Sequence, residues 1–91
     1  MDGELCNIAT IVNQRGLHAR AAAKFVRVAS GFTANVTVTK DDMKVSARSI
    51  MGLMLLAATT GTTIRICGTG TDAADAVSAL TDLVARKFDE E

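Results

Sequence analysis

Hydrophobic positions along this chain switch between a period of two and a period near 3.6, and each switch marks the edge of an element. Leu5 to Val12, with Ile8, Ala9, Ile11 and Val12, reads as a strand whose inward phase is blurred. From His18 to about Ser30, Ala22, Phe25, Val26 and Ala29 recur at helical spacing, and Gly31 is a C-terminal cap candidate. Ala34 to Thr39 alternates and is rich in β-branched residues; Lys40-Asp41-Asp42 predicts a hairpin turn, and Met43 to Val45 a short returning strand. Ile50 to Leu56 is a brief helix, apolar on nearly every side. Thr62 to Gly68 alternates again, with Ile64 and Ile66 inward and Arg65 and Cys67 outward. A last helix is capped by Asp72 (or Thr71), with Asp75 at capping-box spacing. Ala73, Val77, Leu80, Leu83 and Val84 form its apolar stripe, Lys87 suits its dipole, and Asp89-Glu90-Glu91 follows as a solvated tail. The order βαββαβα asks for an α+β fold: an open-faced β-sandwich, a four-stranded antiparallel sheet with three helices on one face.

The first strand-to-helix junction carries the chemistry. Gly16 permits a sharp turn, but no Ser, Thr, Asp or Asn follows it at the helix start, so His18, the one histidine, stands at the N-cap. The amides of Ala19, Arg20 and Ala21 then lack a standard side-chain acceptor. Convergent amides, the positive end of the helix dipole and the Arg20 guanidinium together favour a bound anion. The same dipole disfavours an imidazolium, leaving a neutral ring able to accept, hold and pass on a phosphoryl group. A surface histidine without a role is the plainer alternative.

Composition narrows the rest. Ninety-one residues predict one domain spanning 1–91. Ten basic residues balance ten acidic ones, which argues against nucleic-acid binding and against adhesion to anionic membrane. Met1-Asp2-Gly3-Glu4 does not resemble a signal peptide, and the apolar run Ile50 to Ala58 is too short to span a bilayer, so a cytoplasmic protein with no membrane insertion is expected. In that compartment Cys6 and Cys67 are expected to remain unlinked, as small hydrophobes on strands. One histidine and two distant cysteines offer no convergent metal ligands, and no residue pattern calls for a cofactor. The near-uniform apolarity of Ile50 to Leu56 predicts that Ile50, Met51 and Met54 stay partly exposed as a docking patch. Ser49, just before them, is a good N-cap.

Two separated stretches together carry a resemblance. Gly16-Leu17-His18-Ala19-Arg20 resembles the phosphohistidine motif of the histidine-containing phosphocarrier (HPr) family of the bacterial phosphotransferase system. Ala47-Arg48-Ser49-Ile50-Met51-Gly52 resembles its regulatory serine segment, in register with the first. The resemblance covers about Leu5 to Val84. It implies that His18 takes a phosphoryl group on Nδ1 from phosphorylated Enzyme I, charged by phosphoenolpyruvate, and yields it to a downstream EIIA-type acceptor. Arg20 and the amides of Ala19 and Ala21 would hold the phosphate, and Ser49 would be a target of an HPr serine kinase in some lineages. Both helix starts are then expected on one side, with Lys24, Arg27 and Arg48 as a basic rim around Ile50, Met51 and Met54 for acidic partners. The protein would act as a monomer and as a relay, not as an enzyme. Ala21 stands where the family usually has proline and Ala57 where it often has glycine. Arg15 and the alanine run resemble the proteobacterial, nitrogen-related branch. The competing reading is a regulatory binding module with an incidental histidine.

Overall fold

The computed structural model describes residues 3–90; Met1, Asp2 and Glu91 lie outside the described residues, and with them part of the acidic N-terminus and the end of the tail. Four strands, β1 (Leu5–Thr10), β2 (Asn35–Lys40), β3 (Met43–Ser46) and β4 (Thr63–Thr69), form one sheet in the order β1-β4-β2-β3. All three pairings are antiparallel. The helices are α1 (Ala19–Ala29), α2 (Ile50–Leu55) and α3 (Ala73–Ala85). This is the open-faced α+β sandwich expected from the alternation of periods.

The register sorts the side chains. Ala9, Ile64, Ile66, Val36 and Val38 point to the helices and are buried, packed against Ala22, Phe25 and Ala29 of α1 and Val77, Leu80 and Val84 of α3. The blurred phase of the first strand resolves because Ile8 and Val12 face outward: Ile8 is 64% exposed, whereas Ile11 is fully buried. Asn7, at the edge of the helix-facing side, donates to Thr81 Oγ1 of α3 at 3.3 Å.

Four expectations are corrected. Cys6 and Cys67 form a disulfide, because the β1–β4 register sets them directly opposite, 4.1 Å apart at Cα, on the outer face. Cys67 accordingly points outward and is still buried. Asp72 occupies the N-cap position of α3 without capping it; its carboxylate instead accepts from the amides of Thr33 (2.9 Å) and Ala34 (2.7 Å) and so pins the lead-in to β2. Lys87 lies beyond α3 and has no place at its end. Finally, the C-terminus is not a solvated tail. Lys87, Phe88 and Asp89 take φ of 61°, 55° and 62°, a left-handed turn that folds the chain back and inserts Phe88, fully buried, into the core.

Candidate functional site

The loop between β1 and α1 is built from the sheet outward. Ile11 extends the β1–β4 ladder, donating to Thr62 O at 2.9 Å and accepting from Gly61 N at 2.8 Å. Asn13 then turns inward, 1% exposed, and its Nδ2 donates to Gly16 O at 2.8 Å. Thr60 Oγ1 donates to the carbonyls of Asn13 (2.5 Å) and Gln14 (3.0 Å), tying this loop to the one before β4. Gly16 has a φ of 68°, and a Cβ there would lie 2.5 Å from Ala58 O, so both the turn and the packing need glycine. Leu17, buried, donates its amide to Ala58 O at 2.9 Å, which leaves His18 at the rim.

His18 is extended (φ −79°, ψ −179°) and is the N-cap of α1, with its carbonyl accepting from Ala22 N at 2.8 Å. The expected vacancy at the helix mouth is only partly present. His18 Nδ1 itself accepts from the Arg20 amide at 3.3 Å, so the histidine caps its own helix with a long bond. The amides of Ala19 and Ala21 have no acceptor among the described residues. The Arg20 guanidinium is exposed and makes no hydrogen bond or ion pair among the described residues; the same holds for Arg15. These two, with Gln14, Lys24, Asp89 and Glu90, line one depression, which His18 itself does not line.

Glu90 closes the other side of the ring. Its Oε2 meets His18 Nε2, and its Oε1 accepts from Asn13 Nδ2 at 3.0 Å. Partial burial pushes the Glu90 carboxyl up, but the hydrogen bonds from His18 and Asn13, with the fields of His18 and Arg15, outweigh it and hold the group below its ordinary value. Lys24 Nζ donates to Phe88 O at 2.9 Å and lies 3.6 Å from Asp89 Oδ2, and Arg86 Nε donates to Asp89 Oδ1 at 2.9 Å, so the turn is fastened from α1 and from the C-cap residue of α3. Asn13 and Glu90 were absent from the sequence-based site. The signal available for them was Phe88, an aromatic residue stranded among charges near the chain end.

Ser49 is the N-cap of α2, as expected; its Oγ accepts from Gly52 N at 2.9 Å. Ile50, Met51 and Met54 are exposed, Met51 to 73%, and Leu55 joins them at 66%. Six residues can turn only one side inward, and Leu53 takes that place. The basic rim is rearranged. Arg27 is exposed on α1, Arg48 Nη2 donates to Phe32 O at 2.6 Å, and Lys24 is engaged with the C-terminal turn instead of bordering the patch freely. The contacts also run head to tail: the His18 loop meets Ala58, just past the end of α2, whereas Arg48, at the start of α2, meets Phe32, just past the end of α1. The end of α2, not the Ser49 end, therefore adjoins His18, which corrects the expectation of two helix starts side by side. Ala57, at the close of α2, holds a φ of 52°.

No helix among the described residues is long and apolar enough to cross a membrane. Glu4 lies beside Cys6 and Cys67, but two sulfurs joined in a disulfide have no thiolate to offer a metal.

Known proteins resemble this chain over most of its length. A family model described as PTS HPr component phosphorylation site matches residues 6–86. The phosphocarrier protein HPr of Neisseria meningitidis is 52% identical over 80 residues, covering 88% of this chain and 90% of that protein. The phosphocarrier protein NPr of Shewanella violacea is 47% identical over 81 residues, 89% of each. Among solved structures, that of HPr-C-His from Thermoanaerobacter tengcongensis superposes with a TM-score of 0.87 at 44% identity, covering 98% of both chains.

Proposed function

The chain belongs to the HPr family and is a phosphocarrier of the phosphotransferase system, and from that premise we propose that His18 is the residue that carries the phosphoryl group. Phosphorylated Enzyme I is the donor in this reading and an EIIA-type protein the acceptor. The Nδ1 lone pair attacks phosphorus; a new N–P bond forms as the donor's P–N bond breaks, and the electron pair of the broken bond stays with the donor's nitrogen. The His18 ring keeps its Nε2 proton and takes up the positive charge. Delivery to the acceptor is the same exchange in reverse.

The observation that carries the proposal is the helix mouth. Nδ1 faces the start of α1, where the Ala19 and Ala21 amides are free among the described residues and the Arg20 amide is held only by a 3.3 Å bond to the ring. As the N–P bond forms, Nδ1 gives up that bond and the Arg20 amide becomes available to a phosphate oxygen. The unpaired Arg20 guanidinium adds charge-assisted bonds. The phosphate has to be held only moderately, because one bound too well would not be released to the acceptor. The protein is consumed and regenerated in each transfer, which makes it a relay and not a turnover catalyst.

Ile50, Met51, Met54 and Leu55 serve as the apolar centre of the docking surface, with Arg27 and Arg48 for acidic partners. Ser49 serves as a regulatory phosphorylation site: a phosphate on the N-cap suits the helix dipole and leaves α2 folded while placing charge beside that apolar patch. An incidental histidine in a binding module is not favoured, since the relatives that match nearly the whole chain are phosphocarriers. Mass identification of phosphosites tests both assignments. Enzyme I with phosphoenolpyruvate should place one acid-labile phosphate on His18, absent from His18→Ala, and ATP with a serine kinase should label Ser49. Labelling that survives His18→Ala would sink the first assignment.

A further inference from the structure

We propose that Glu90 is a positioning residue for His18, and that Asn13 holds Glu90 in place. The proposal rests on the phosphohistidine reading above and adds to it a carboxylate on the far side of the ring. Two bonds specify one tautomer. Nδ1 accepts from the Arg20 amide, so it carries the lone pair; Nε2 faces a carboxylate oxygen, so it carries the proton. That tautomer is the one in which Nδ1 can attack phosphorus.

Charge points the same way. When a neutral Nδ1 takes a phosphoryl group, positive charge spreads over the ring to the Nε2 hydrogen, and a carboxylate already seated there stabilises it without moving. Glu90 cannot drift away freely, because both its oxygens are engaged. Oε2 is on His18 and Oε1 on Asn13 Nδ2, whose other hydrogen bond goes to Gly16 O. Asn13 is itself buried, and the two bonds its Nδ2 donates, to Gly16 O and Glu90 Oε1, fix the orientation of the amide even though its Oδ1 is left without a partner. Behind Glu90, the left-handed turn and the buried Phe88 set the length and direction of the return.

The test uses phosphoramidate as the phosphoryl donor, a small P–N compound that needs no docking surface, so a change in rate reports the ring and not partner binding. Wild type, Glu90→Gln and Glu90→Ala are compared for the rate of His18 phosphorylation, with the imidazole followed by long-range proton–nitrogen NMR and folding checked by urea melts. Glu90→Ala should lose the slowly exchanging Nε2 proton signal and slow phosphorylation by about tenfold or more. Glu90→Gln, whose amide oxygen still accepts from Nε2–H but lacks the charge, should retain the signal and fall between the two. For Glu90→Ala, a rate within twofold of wild type overturns the proposal, and so does a slower rate with unchanged ring signals, since the effect would then bypass the imidazole. Failure of wild type itself to be labelled at His18 overturns the phosphohistidine reading instead, which keeps the two outcomes separate.

Discussion

Replacing Phe88 with alanine is the sharpest perturbation of the C-terminal turn. Phe88 is fully buried, and a phenylalanine of that kind removes roughly 150–250 Å² from water, about 4–6 kcal/mol at 25 cal/mol/Å². Holding Lys87 to Glu90 in one conformation costs about 1–2 kcal/mol per residue, so the docked turn sits close to balance. Truncation to alanine in a closed site removes about 3–5 kcal/mol. Even 3 kcal/mol moves a docking equilibrium by about two orders of magnitude, so the turn should release while β1 to α3 stay folded. Because the turn can let go, the whole protein should lose only about 2–3 kcal/mol, or roughly 10–20 °C in Tm. Amide hydrogen exchange is the assay. The Asp89 and Glu90 amides, bonded to Arg86 O and Lys87 O at 3.0 Å, should lose protection in Phe88→Ala, and urea unfolding should remain a single transition at a lower midpoint. Unchanged protection at Glu90 with an unchanged midpoint would refute the view that Phe88 anchors this turn.

Other substitutions probe other elements. Ser49→Ala removes the acceptor for Gly52 N and should cost about 1 kcal/mol in urea melts, whereas Ser49→Asp should keep the cap and weaken partner binding in a titration. Ala57→Gly should raise stability by about 0.5–1 kcal/mol by relieving a φ of 52°; a lower melting temperature would count against it. Reduction of Cys6–Cys67 opens a link across 61 residues of sequence and should lower stability by up to about 4 kcal/mol, read as a drop in Tm on adding reductant and absent in a Cys6→Ser, Cys67→Ser double variant. The Thr33 amide, with that of Ala34, holds the Asp72 carboxyl below its ordinary value. Its contribution is therefore full above the unfolded-state value near pH 4 and is lost as pH falls through the lower folded value. Asp72→Asn should flatten the acid limb of the stability curve, and an unchanged limb would remove Asp72 from the explanation.

The local part of the design is legible in the sequence. His18 stands at a helix start because no better cap precedes Ala19, and Ser49 caps α2 because serine before an apolar helix does so. The α3 stripe of Ala73, Val77, Leu80, Leu83 and Val84 is buried as its spacing required. The misreadings share a physical cause, which is competition from residues distant in sequence. Asp72 had the chemistry of a cap, but two amides 38 and 39 residues away claim its carboxylate. Alternation along β4 puts Cys67 on the outer face, yet its partner is set by the β1–β4 register, which periodicity alone does not contain. The C-terminal turn was hardest, because three consecutive non-glycine residues at positive φ have no local signature. Only tertiary burial of Phe88 makes them tolerable.

The most direct test of the account follows labelled phosphate from phosphoenolpyruvate through Enzyme I onto this protein and then into an EIIA-type acceptor. The account predicts one acid-labile label per molecule, on Nδ1 of His18, that leaves when acceptor is added and never appears on His18→Ala. A label that resists acid, maps to another residue, or stays on the protein in the presence of acceptor would contradict it.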